Sequence, residues 1–191
     1  MRHTIKLLSQ SVSIKWTKDA AIGISASLLL ALCAPFAIHL PFTPIPVTIQ
    51  VQVALFLAAL MGPRKGVWMI GAFITQGAFG LPVFAGGAST IATIIGPRGG
   101  YLAGYLVAAY VCGKIYQSRE NRSAIALFIS MLIGNLIVYL CGFSWLSAYV
   151  GMKQAFLLGI APFALADLIK LSLVVLGKNQ VTQLLNYLRK K

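Results

Sequence analysis

Asp167 and Lys170 are opposite charges three residues apart inside the apolar run GIAPFALADLIK at 159–170. On a helix that spacing puts both side chains on one face. Neither charge is stable in apolar surroundings without a partner, so both must turn toward the interior of whatever bundle the helix joins. Two readings stay open. The pair is a structural ion bridge that fixes helix packing, or it is a ligand site. In the second reading, a carboxylate that accepts N–H beside an ammonium that donates to oxygen suits a neutral solute carrying both groups, such as an amide or a cyclic urea.

Arg98, in GPRGGY, lies among glycines that let backbone approach a ligand closely. Its guanidinium would meet an anionic solute group or a lipid headgroup. Gln50 and Gln52 follow Thr48 at the start of an apolar run, where a buried amide needs partners and helix-to-helix hydrogen bonding supplies them equally well. Gly23, Ser27 and Ala31 recur every four residues, a stripe of small side chains that lets another helix come close, either from the same bundle or from a partner. Phe84, Tyr101, Tyr105 and Trp68 supply apolar walls for a pocket or core.

Other chemistry is excluded by what the chain lacks. There is no GxxxxGK[ST] phosphate loop, HExxH or GxSxG, and His3 and His39 stand far apart. Cys33, Cys112 and Cys141 are single and embedded in apolar stretches, so neither a disulfide framework nor a metal site is implied. The expectation is a protein without catalysis or cofactor of its own; the competing reading is a small membrane enzyme using Asp167.

The elements that must position these residues are set by composition. Of 191 residues 59% are hydrophobic, and 16 Lys/Arg face only 3 Asp/Glu. Mean hydropathy is +0.85. A water-facing surface mixing both charges cannot be built from that inventory. The basic residues fall between apolar runs instead of clustering with aromatics, which argues against nucleic acid and for anionic lipid headgroups.

Six apolar segments, at about 20–40, 47–62, 67–80, 100–116, 123–144 and 162–186, predict an all-α integral membrane protein with six crossings. Residues 1–18 form a basic cytoplasmic segment and 19–191 a single membrane domain. The basic start followed by a Leu/Ala-rich core resembles a secretory signal, but Leu32 precedes Cys33 where a small residue is needed, so an uncleaved first helix is expected. With both termini inside, thirteen Lys/Arg fall on cytoplasmic segments and only Arg98 and Lys153 outside, with Lys170 within a helix. That is a multi-pass topology in a cell membrane.

Residues 81–99 are too rich in Gly and Pro for a crossing and too apolar for a free loop, so this outer segment is expected to fold inward. The prolines of PFTPIP at 41–46 favour a rigid extended path. Residues 145–161 either continue a helix or lie along the outer interface, with Trp145 and Tyr149 at headgroup depth. Pro162 marks the start of the last helix.

Four segments in order, PIPVTIQ at 44–50, GLPVFAGG at 80–87, GPRGGYLAGY at 96–105 and GIAPFALADLIK at 159–170, resemble the BioY family, the biotin-specific substrate-binding (S) components of energy-coupling factor (ECF) transporters. The resemblance runs over most of the chain. It implies a prokaryotic six-helix S component that takes biotin from the outer side, with the loop after the third helix as part of the pocket and its lid. It places Asp167 and Lys170 on the ureido head, and Gln50, Phe84, Gly86, Gly87 and Tyr101 in or beside the pocket. It also implies docking of a transmembrane coupling subunit, joined to two ATPase subunits, on the stripe of Gly23 and Ser27.

The chain departs from the family pattern twice. Ala88, Ser89 and Thr90 follow the paired glycines where a polar residue and two more glycines are common. Arg98 replaces a small Ser or Thr, while Leu102 stands where a basic residue is frequent. Arg98 is therefore expected to take over recognition of the biotin carboxylate. An S component for a related ring-plus-carboxylate vitamin is the alternative.

Overall fold

A computed structural model describes the backbone of residues 2–178 and the side chains of 16–178. Among the described residues, six helices of twelve residues or more carry the fold: α1 (Arg2–Leu32), α2 (Gln50–Met61), α3 (Pro63–Ala78), α5 (Gly99–Gln117), α6 (Ala124–Val150) and α8 (Ala161–Leu176). Two shorter ones are α4 (Ile91–Ile95) and α7 (Met152–Gly159).

Local chemistry sets the boundaries. α1 stops at Leu32, ahead of Pro35, because the residue before a proline is pushed out of helical geometry. The first apolar segment therefore ends as a helix well short of residue 40. Residues 37–48 form a small antiparallel hairpin instead, with Ala37 opposite Thr48 and Ile38 opposite Val47. α2 and α3 meet at Gly62, whose φ of 90° reverses the chain before Pro63 opens α3. Ser123 caps α6 by accepting from the Ala126 amide at 3.1 Å. Residues 145–150 continue α6, and Gly151 separates them from α7. Pro162 lies in the first turn of α8. Residues 179–186 of the last apolar segment and the basic residues Arg189, Lys190 and Lys191 lie outside the described residues.

The interior is assembled from α5 against α6, α1 against α3, and α2 wedged against α5 and α6. Leu30, Leu55, Met69, Ile70, Phe73, Leu127, Met131, Leu146 and Leu171 are fully buried there. Leu28, Leu140, Leu165, Leu173 and Leu176 point outward, giving an apolar exterior suited to hydrocarbon. By length and composition, α6 and the run 152–176 are long and apolar enough to cross a membrane.

The stripe of small residues in α1 is filled from within. A Cβ on Gly23 would come within 2.6 Å of the Trp68 Cβ, so α3 already sits against it. Ser27 is 0% exposed and its hydroxyl accepts from Gln76 Nε2 at 2.9 Å. Ala31 is half-buried against the same core. Small residues here shorten the distance between two helices of one chain. Offered by the sequence as a docking surface, this stripe is not open to a partner in the structure.

Candidate functional site

Two adjoining lobes open between the hairpin, α5, α6 and α8. They share Ile45, Pro46, Thr48, Tyr101 and Tyr105 as common wall. The first, about 480 Å³, is completed by Gln50, Phe84, Ala85, Thr93, Arg98 and Leu102. The second, about 370 Å³, is completed by Val51, Asn135, Val138, Tyr139, Gly159, Phe163 and Asp167. One lobe carries a cation, the other a carboxylate.

Asp167 is 6% exposed. Its Oδ2 accepts the Tyr139 hydroxyl at 2.5 Å and its Oδ1 the Lys170 ammonium at 2.7 Å. Both oxygens of this buried carboxylate are thus satisfied. Lys170 also donates to the Thr48 carbonyl at 2.9 Å and is not among the residues lining either lobe. It stands behind Asp167, joining α8 to the hairpin. The two readings of this pair thus meet in one place: a bonded ion pair whose acidic member faces a cavity.

Arg98 spends one donor, Nε, on the Pro44 carbonyl at 2.9 Å. That anchor leaves the outer edge of its fork for the first lobe. Burial lowers its pKa from the ordinary guanidinium value, though an arginine remains charged at neutral pH. Gln50 is 2% exposed and gives both amide hydrogens away, to Leu30 O at 2.9 Å and Val83 O at 2.8 Å. Only its oxygen remains for a ligand.

The Val83 contact fixes the segment that carries Phe84. That ring is buried, edge-on to Phe73 with centroids 5.4 Å apart, and rests where any side chain on Gly77 would collide. Gly86 and Gly87 turn the chain with φ of 76° and 73°, which Cβ-bearing residues adopt with strain. Gly86 packs on His39 and its amide donates to Ala34 O at 2.9 Å. Ala88 returns the chain by accepting from the Phe84 amide at 3.0 Å. Gly86, Gly87 and Ala88 thus shape the loop without lining the cavity, whereas Phe84 and Ala85 line it. Tyr101 lines both lobes and donates its hydroxyl to Gly159 O at 2.9 Å.

Several contributors were not singled out from sequence. Tyr139 and Asn135 are one helical turn apart on α6, a spacing that marks a shared face once α6 is known to border a charge. The hairpin supplies carbonyls to both cations, which no side-chain pattern signals. Trp145 and Tyr149, which the sequence did single out for the outer interface, tie α6 to the end of α4: Trp145 Nε1 donates to Gly96 O at 3.0 Å and the Tyr149 hydroxyl to Ile95 O.

The geometry has counterparts among known proteins. The profile of the BioY family matches residues 2–187. A protein of Pyrococcus horikoshii described as a probable biotin transporter BioY is 35% identical over 133 residues, 70% of this chain and 78% of that protein. The biotin transporter BioY of Thermotoga maritima is 33% identical over 156 residues, 80% and 90% of the two chains. A crystal structure of the S-component for biotin from an ECF-type ABC transporter superposes with a TM-score of 0.72 at 26% identity, covering 92% of each chain. On profile, sequence and fold together, this chain belongs to the BioY family.

Proposed function

We propose that this chain binds biotin within the membrane and serves as the S component of an ECF-type transporter. It is a transport component, not an enzyme, and biotin is its cargo. The observation that carries the reading is the pair of adjoining lobes, with Arg98 in one, Asp167 in the other, and Tyr101 and Tyr105 between them. Biotin has the matching parts: a carboxylate for a guanidinium, a ureido N–H for a carboxylate, and an apolar ring and chain for the aromatic wall.

Lys170 acts as a positioning residue, holding Asp167 and the Thr48 carbonyl. Phe84 closes the first lobe, and the loop through Gly86, Gly87 and Ala88 serves as its lid. In the proposed topology the six long helices cross the membrane of a prokaryotic cell, both termini are cytoplasmic, and residues 81–99 fold inward from the outer side. Residues 1–18 form the cytoplasmic approach to one membrane domain, 19–191.

Because the sequence holds no phosphate loop, transport energy comes from separate ATPase subunits through a transmembrane coupling subunit. With Gly23, Ser27 and Ala31 packed inward, that subunit meets the outward face of α1, where Ile24, Leu28 and Leu32 are exposed. Lipid covers the remaining apolar exterior.

Isothermal titration of the purified chain with biotin tests the reading, with other vitamins as competitors. Saturable binding without chemical change of the solute is expected. Displacement of biotin by another ring-plus-carboxylate vitamin at equal concentration would reassign the cargo, and turnover would reassign the class.

A further inference from the structure

Asn135 sits in the middle of α6, 3% exposed, on the wall of the lobe that holds Asp167. Its Oδ1 is buried without a hydrogen-bond partner. Asparagine is a poor residue for a helix interior, and its usual compensations are exposure or a bond to the preceding turn. Neither serves here. A side-chain oxygen cannot bond a carbonyl, and the amide hydrogens around it are engaged in the helix ladder. Two of the three tyrosine hydroxyls on this lobe are engaged, Tyr139 on Asp167 and Tyr101 on Gly159. A buried orphan acceptor is costly, and a donor arriving from outside would recover that cost.

We propose that Asn135 is a second recognition residue for the solute, its Oδ1 accepting one ring N–H while the Asp167 carboxylate accepts the other. Two acceptors in one lobe require a ligand edge that presents two N–H donors, the pattern of a cyclic urea and not of a lactam or a cyclic carbamate. This rests on the reading that the second lobe holds the ureido head, and it adds which feature of that head is selected.

The test is titration of wild type, Asn135→Leu and Asn135→Ala with four ligands: biotin, its two N-methyl regioisomers and its carboxyl amide. Biotin should bind Asn135→Leu about tenfold more weakly than wild type, as expected when a buried acceptor and its partner are parted. Both methylations should weaken binding to wild type. In Asn135→Ala the penalty for one regioisomer should shrink by about tenfold while the other persists, and the penalty for the carboxyl amide should match that of wild type. A structural role alone would lower the melting temperature and weaken all four ligands in parallel, leaving every ratio as in wild type; that result overturns the inference while biotin binding stands. Absence of biotin binding in wild type overturns the proposed function and this inference with it. If Asn135→Leu does not fold, the ratios in Asn135→Ala decide.

Discussion

Tyr139 and Asp167 share a 2.5 Å hydrogen bond that links the middle of α6 to the middle of α8 across the floor of the second lobe. It sets the rotamer of the carboxylate and supports its charge, while Lys170 holds the other oxygen. The carboxylate is therefore preorganised before any ligand arrives.

Removing that support should weaken the site without abolishing it. Tyr139→Phe is expected to lower biotin affinity about three- to tenfold, and Asp167→Asn by more than tenfold, since hydrogen bonds to charged groups are worth about 1.5–3 kcal/mol. Lys170→Ala should weaken binding as well, by freeing Asp167 and the Thr48 carbonyl together. Calorimetry on monodisperse protein checks all three; unchanged affinity in Asp167→Asn would return the pair to a purely structural role.

Arg98 should discriminate by ligand charge. Arg98→Ala is expected to weaken biotin by about tenfold or more and its carboxyl amide by much less, because a guanidinium–carboxylate pair is lost only for the acid. Equal losses for both ligands would remove Arg98 from carboxylate recognition.

The packing of α1 on α3 gives a stability prediction. Gly23→Leu drives side-chain atoms into Trp68 and should lower the melting temperature by several degrees, overpacking costing about 1–3 kcal/mol. Leu28→Ala, on the exposed face, should leave thermal stability and biotin binding near wild type while reducing uptake when the partner subunits are present. Normal uptake by Leu28→Ala would move the docking face elsewhere.

Gln52 offers a gain. It is 0% exposed, neither its nitrogen nor its oxygen has a partner, and it lines neither lobe. Gln52→Leu, of similar size, should raise stability by about 1–3 kcal/mol with unchanged biotin affinity. A drop in affinity in that variant would show that the amide reaches the site.

The helical pattern was legible in the sequence because each long helix is an apolar run closed by proline, glycine or charge: Pro63 and Pro162 near two starts, Ser123 capping a third. Asp167 was legible because a lone acid in such a run has few physical explanations. Less visible was the direction of α1. Gly23, Ser27 and Ala31 define a face by spacing, yet spacing does not say whether the neighbour belongs to the same chain. The hairpin was hidden for a related reason, since it works through carbonyls, which every residue has. Gln50 lines the first lobe, but its donors are consumed by Leu30 and Val83, a fact available only once three distant segments are brought together.

The hairpin carries one more implication. Pro44 O steadies Arg98 and Thr48 O steadies Lys170, and both oxygens belong to the main chain. No point replacement deletes either acceptor, so these anchors are insensitive to spelling. They are sensitive to count: one residue added or removed between positions 38 and 44 would slide the strand by about 3.3 Å and turn its carbonyls over. Insertions there should be far more damaging than substitutions, although the stretch looks from its letters like an ordinary connector.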